Sequence, residues 1–195
     1  MNSNSNSNNL YEVIINRRTV RKFDPDYEMP KEDLDKIIKA GLYAPTAKDL
    51  QGADFVVVRN MEIIDKIAEI VTENMDDPII KEKWKQRDVK YKVKNGMTGD
   101  ANILILIIKN ERADEKWVYL DAGIQGENMV LAAESLGISS RYLGVAVIND
   151  KIRSEVEKLC NLKENSLMIA IAFGKKHKDY EFPNKIIKSK VINIE

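Results

Sequence analysis

Ile103-Leu104-Ile105-Leu106-Ile107-Ile108 is the longest apolar run of the chain, and its reading decides the fold. A run of strand length, rich in β-branched residues and without polar alternation, marks a strand covered on both faces. Phe55-Val56-Val57-Val58 before it and Leu167 to Phe173 after it read the same way. Stretches of helical period lie between them. Pro30 opens a helix with Glu32 and Asp33 in its first turn and Leu34, Ile37, Ile38 and Leu42 on one face, and Pro45 ends it by Ala44. Asn60 caps a helix whose apolar residues include Ile63, Ile64, Ile67 and Val71. Residues 114 to 136 read as the longest helix, carrying Trp117, Leu120, Ile124, Val130 and Leu131, with Gly137 placed to end it in the left-handed conformation. Ala122, Gly123 and Gly126 form a small-residue flank that admits a close neighbour. A short stripe at Leu10, Val13 and Ile14, an extended piece from Ile138 to Val145, a helix opened by Asp150 and a tail with Pro183 complete the chain. Helices interspersed with fewer strands give a layered α+β or α/β domain.

The 195 residues, 44% of them apolar, suffice for one domain with a full core, expected over 10–195. Residues 2–9, all Asn or Ser, bury nothing and read as a disordered leader. The apolar runs are far short of the ~20 residues that span a bilayer, so a soluble, cytoplasmic protein without membrane partners is expected. Cys160 has no second cysteine to pair with, and His177 no second histidine or cysteine with which to hold a metal, so no metal site is expected. The 31 basic residues are balanced by 31 acidic ones, which argues against a nucleic-acid partner.

Against that neutral background one segment stands out. Arg17-Arg18-Thr19-Val20-Arg21-Lys22-Phe23 places three guanidinium forks around a threonine hydroxyl, a donor set suited to a discrete phosphate or carboxylate on a small ligand. Its alternative is a solvated turn between helices. From Asp76 to Gly99 the sequence turns charged and loses its period, apart from Trp84 and Tyr91, and reads as a helical or irregular excursion. No Gly-x-Gly-x-x-Gly fingerprint is present to hold a dinucleotide.

The arginine segment, Ala44-Pro45-Thr46-Ala47-Lys48-Asp49-Leu50-Gln51, the Phe-Val-Val-Val strand, Asp121-Ala122-Gly123, Leu136-Gly137 and Ala172-Phe173-Gly174 follow one another as in the nitroreductase family, which the chain resembles from about Leu10 to its tail. The resemblance implies a three-layer α+β fold with a central mixed or antiparallel sheet flanked by helices, in an intertwined homodimer. It also implies FMN as cofactor, with NADH or NADPH as a transient electron donor and nitro-aromatics, quinones or related small planar molecules as acceptors. On the matching positions, Arg17, Arg18, Thr19 and Arg21 would hold the flavin phosphate and ribityl chain, completed by Lys185 and less directly by Lys175. Pro45, Thr46 and Ala47 would pack on the isoalloxazine, commonly that of the partner subunit, with Gln51 beside ring and ribityl. Tyr142, Leu143 and Gly144 would bring backbone amides to flavin N5 and O4.

Two positions depart from the family pattern. Asp49 replaces the usual Asn, and Gly52-Ala53 the usual Pro-Trp. An ionised Asp49 beside the flavin would oppose the negative charge of reduction, whereas an Asp49 turned outward would cap its loop. Losing the tryptophan would enlarge the acceptor pocket. Hydride transfer is cofactor chemistry, so no catalytic side chain is expected. The segment 76–99 is the candidate lid. The alternatives to a reductase are a flavin store, sensor or electron carrier without turnover, or a specialised reductase or dehalogenase on the same fold.

Overall fold

The computed structural model describes residues 10–194, so the expected leader over 1–9 lies outside the described residues. Strands β1 (Ala53–Val58), β2 (Ile103–Lys109), β3 (Ser139–Tyr142) and β4 (Leu167–Gly174) form one sheet in the order β1-β2-β4-β3. Every pairing is antiparallel, which makes the domain α+β. Successive side chains of β2 point to opposite faces, and both faces are covered, which is why its sequence shows no alternation. Ile103, Ile105 and Ile107 join a core with helices α2 (Lys31–Leu42) and α5 (Val118–Ser135). Leu104 and Leu106 join a second core with α3 (Met61–Glu73), α4 (Pro78–Tyr91) and α6 (Asp150–Leu159). The sheet is thus the middle of three layers. The first helix, α1 (Leu10–Asn16), packs on α5 and buries only Val13 of its expected stripe.

Several expectations change in detail. β1 is an edge strand with one neighbour, so Phe55, Val56 and Val57 are half-buried, although Phe55 and Val57 pack on one core and Val56 and Val58 on the other. α5 begins at Val118, because Asp114 O accepts from Trp117 N at 2.9 Å and closes a turn first. It faces the sheet through Val118, Ala122, Met129, Val130 and Ala133, leaving Leu120 exposed. The small flank serves the sheet: a methyl on Gly126 would come within 2.7 Å of Tyr142 Oη, while one on Gly123 would meet nothing within 4 Å. α6 is capped by Asn149 Oδ1, which accepts from Ile152 N at 2.8 Å. The charged excursion contains α4, capped by Asp77 Oδ1 on Ile79 N at 2.8 Å and buried through Trp84, a core anchor.

Candidate functional site

Val20 and Phe23 are buried and pin the arginine segment to the sheet edge: Val20 N donates to Ser140 O at 3.2 Å, and Phe23 N to Gly99 O at 2.7 Å. With these anchored, Arg17, Arg18, Thr19 and Arg21 line a cavity of about 210 Å³ whose other wall is Phe182, Pro183, Asn184 and Lys185. The tail reaches this position because Tyr180, itself buried, donates its hydroxyl to Thr19 O at 3.3 Å. The lining carries four cationic side chains and no carboxylate. Arg17 Nε is buried without a hydrogen-bond partner and is ion-paired with Glu127 Oε1 at 3.6 Å. Glu134 lies close by; its burial raises its pKa, against the pull of Arg17 and Arg18. Lys175 is not in the cavity: its Nζ donates to Gly137 O at 2.9 Å beyond the end of α5.

The segment Tyr142 to Gly144 adjoins the same edge, since Thr19 bridges to Ser140 one strand residue away from Arg141. Tyr142 sends its ring under Gly126, and burial and then Glu127 push its hydroxyl pKa up. Leu143 N is already used, donating to Ala170 O at 2.8 Å. The N–H groups of Gly144 and Val145, at the start of a 3₁₀ turn, take no protein partner among the described residues. Nothing approaches the Gly144 Cβ position closer than Ile169 at 3.8 Å, so a ligand can come near this backbone.

Pro45 to Gln51 lies elsewhere, against the first turns of α5. Asp121, 5% exposed, accepts from Ala47 N with both oxygens, at 3.0 and 3.2 Å. Lys48, Asp49 and Gln51 sit at φ of 56°, 53° and 50°, a left-handed conformation unfavourable for residues with a Cβ. Five bonds hold that shape. Gln51 N donates to Thr46 Oγ1 and Gln51 Nε2 to Asp49 Oδ1, both at 3.1 Å. Asn110 Nδ2 and Arg112 Nη2 donate to Gln51 O at 3.0 and 3.1 Å, and Arg112 Nε to Leu50 O at 3.2 Å. Asp49 is exposed and bonded to Gln51. Gly52 is required by packing, since a Cβ there would stand 2.7 Å from Ala113 Cα.

The structure therefore gathers Arg17, Arg18, Thr19, Arg21 and Lys185 in one cavity with Tyr142, Leu143 and Gly144 beside it. It leaves Pro45, Thr46, Ala47, Asp49 and Gln51 apart. Asp121, which holds the loop, and Glu127, next to Arg17, are separated by roughly 9 Å along α5 and point to different sides of it at 3.6 residues per turn. Asp121, Asn110 and Arg112 were not marked as site residues by sequence reasoning; the visible signal was an acid within the apolar face of α5.

Fold and site define the class: a three-layer α+β domain with a basic cavity at the sheet edge. The chain belongs to the nitroreductase family, whose model matches residues 14–175. It is similar to a nitroreductase with bound FMN from Bacteroides fragilis, 26% identical, covering 96% of this chain and 98% of that one with a TM-score of 0.75. A protein of Methanothermobacter thermautotrophicus, provisionally named NADH dehydrogenase/NAD(P)H nitroreductase, is 29% identical over 83% of this chain and 74% of its own length. The NADPH-flavin oxidoreductase of Vibrio harveyi is 29% identical over 86% of this chain and 64% of its own length.

Proposed function

We propose that this chain is an FMN-dependent oxidoreductase that takes electrons from NADH or NADPH and delivers them to a small planar acceptor such as a quinone or nitro-aromatic. The observation that carries this reading is the cavity: three arginines, Thr19 and Lys185 converge with no carboxylate in its lining. Those donors fit the dianionic phosphate of FMN. When bound, FMN supplies the ring that accepts a hydride and passes electrons on. The chain's part is placement. Arg17, Arg18, Thr19, Arg21 and Lys185 grip the phosphate end, and the free N–H groups of Gly144 and Val145 offer donors where reduction adds negative charge. No side chain is needed as nucleophile or general base.

The working unit in this reading is a homodimer. The Pro45–Gln51 loop does not line its own chain's cavity and would pack on the flavin of a second copy. Leu10, Ile14 and Ile15 on α1, Tyr119 and Leu120 on α5, and Ile186, Ile187 and Val191 in the tail are each at least 40% exposed and would supply apolar surface to a partner. No described helix is long and apolar enough to cross a membrane, and we place the protein in the cytoplasm.

The test is the purified protein's absorbance and sedimentation, followed by NADH oxidation with and without menadione. The reading expects one FMN per chain in a dimer and quinone-dependent turnover. Bound FMN without turnover would favour a flavin store or carrier, and a protein that takes up no FMN would refute the proposal.

A further inference from the structure

A second cavity, of about 570 Å³, opens at the end of the sheet where β1 stops and β2 starts, and it shares no lining residue with the basic cavity. One side is the stretch from Pro25 to Met29 that leads into α2. The other is Arg59 after β1, Met61 at the start of α3, and Asn102 and Ile103 at the start of β2. Two side chains from the sheet end tie the stretch in place: Arg59 Nη2 donates to Met29 O at 3.3 Å, and Asn102 Nδ2 donates to Tyr27 O. Asp24 folds it from the other end, its carboxylate accepting from Asp26 N at 3.1 Å and its carbonyl from Tyr27 N at 3.3 Å. The volume falls in the range of pockets that take small molecules.

The bonds that shape this cavity leave its polar groups largely free. Because Asn102 Nδ2 is committed to a carbonyl, what Asn102 can still offer is Oδ1, and that oxygen is buried with no hydrogen-bond partner among the described residues. A buried acceptor in that state is unfavourable until a donor reaches it. Among the described residues the carboxylates of Asp26 and Glu28 have no hydrogen-bond or ion-pair partner, and Arg59 spends one N–H of its five, on Met29 O. Opposite charges thus line one cavity without pairing to each other. The space between them suits a molecule that carries both charges. An ammonium group would meet acceptors in the two carboxylates and Asn102 Oδ1, and a carboxylate would meet the guanidinium fork. Pro25, Met29, Met61 and Ile103 supply apolar wall, with Met29 and Ile103 buried, and the two thioethers favour contact with an aromatic ring.

We propose that this cavity is a separate ligand site for a free α-amino acid with an aromatic side chain: Asp26, Glu28 and Asn102 receive the ammonium group, Arg59 the carboxylate, and Met29 and Met61 the ring. The inference does not rest on the flavin reading, since the two cavities have no residue in common. Asp26, Glu28 and Arg59 are exposed, so the ligand enters from solvent and substitutions there leave the fold intact.

The test is calorimetric titration of the full-length purified protein with L-phenylalanine, with L-phenylalaninamide, which lacks the carboxylate, and with 3-phenylpropionate, which lacks the ammonium group. A buffer at about pH 6 keeps both amines protonated. Phenylalanine should bind at least about tenfold more tightly than either analogue, the scale of one charge-assisted hydrogen bond. Arg59→Gln should narrow the gap to the amide about tenfold and leave the gap to phenylpropionate. Asp26→Asn combined with Glu28→Gln should do the reverse. Asn102→Ala, if it folds, should weaken phenylalanine and its amide alike; if it does not, the exposed variants decide. No binding of phenylalanine at millimolar concentration would mean that water alone serves Asn102 Oδ1, and would overturn the proposal. Equal affinities for the three compounds, or gaps unmoved by the exposed substitutions, would overturn it too. So would binding that is lost in Arg17→Ala and kept in Arg59→Gln, because the ligand would then occupy the basic cavity. A protein that takes up no flavin would defeat the proposed function, while this titration would still decide the second site.

Discussion

Replacing Asp121 with alanine should release the Pro45–Gln51 loop. Its carboxylate is buried and receives Ala47 N–H on both oxygens. A hydrogen bond to a charged group contributes roughly 1.5–3 kcal/mol, and leaving the amide unpaired costs a similar amount and not their sum. The loop stores strain against that bond. Lys48, Asp49 and Gln51 all have positive φ, at about 1–2 kcal/mol each. Together that strain, about 3–6 kcal/mol, exceeds the stabilising term the anchor supplies, so removing the anchor should let the loop relax. Asp121→Ala is expected to lower unfolding free energy by about 2–3 kcal/mol in urea titration. In the dimeric reading it should also weaken FMN binding, although Asp121 touches neither cavity nor phosphate. Asp121→Asn keeps one acceptor for Ala47 N–H and should lose about 1 kcal/mol or less. An Asp121→Ala protein within about 0.5 kcal/mol of wild type, with unchanged FMN affinity, would refute the reasoning, since surface-like changes fall in that range.

Two further outcomes follow from the packing and the charge. Gly126→Ala would drive a methyl to 2.7 Å from Tyr142 Oη and 3.1 Å from Ile171 Cδ1, and should cost about 1–3 kcal/mol in the same titration; no loss would show that the Tyr142 ring is free to move. Asp49→Asn retains an oxygen to accept from Gln51 Nε2 but removes the negative charge, so redox titration should show the flavin midpoint potential rising by on the order of tens of millivolts. An unmoved potential would mean that Asp49 acts through Gln51 alone.

Much of this architecture is legible in sequence because it is local. Asn60 before the stripe Ile64, Ile67 and Val71 specifies a capped amphipathic helix, and the structure has that cap and that buried face. The doubly covered β2 follows from its unbroken apolar run. β1 is likewise covered on both faces, as Phe55-Val56-Val57-Val58 suggests, but its edge position is not legible, because the number of neighbours is a property of the sheet and not of the segment. α5 misleads through its leucines, because small residues let its other side approach the sheet. Within the site, the arginine segment announces itself by charge, while Asp121, 74 residues from Ala47 in sequence, acquires its place only through folding.

The measurement closest to the central claim is a comparison of FMN and riboflavin, which differ by the phosphate alone, on wild type, Arg17→Ala and Lys185→Ala. If the cavity holds the phosphate, each substitution should weaken FMN binding by roughly 1.5–3 kcal/mol, about tenfold or more, and leave riboflavin far less affected. Equal losses for the two flavins, or none for either, would contradict the assignment of the basic cavity to the flavin phosphate.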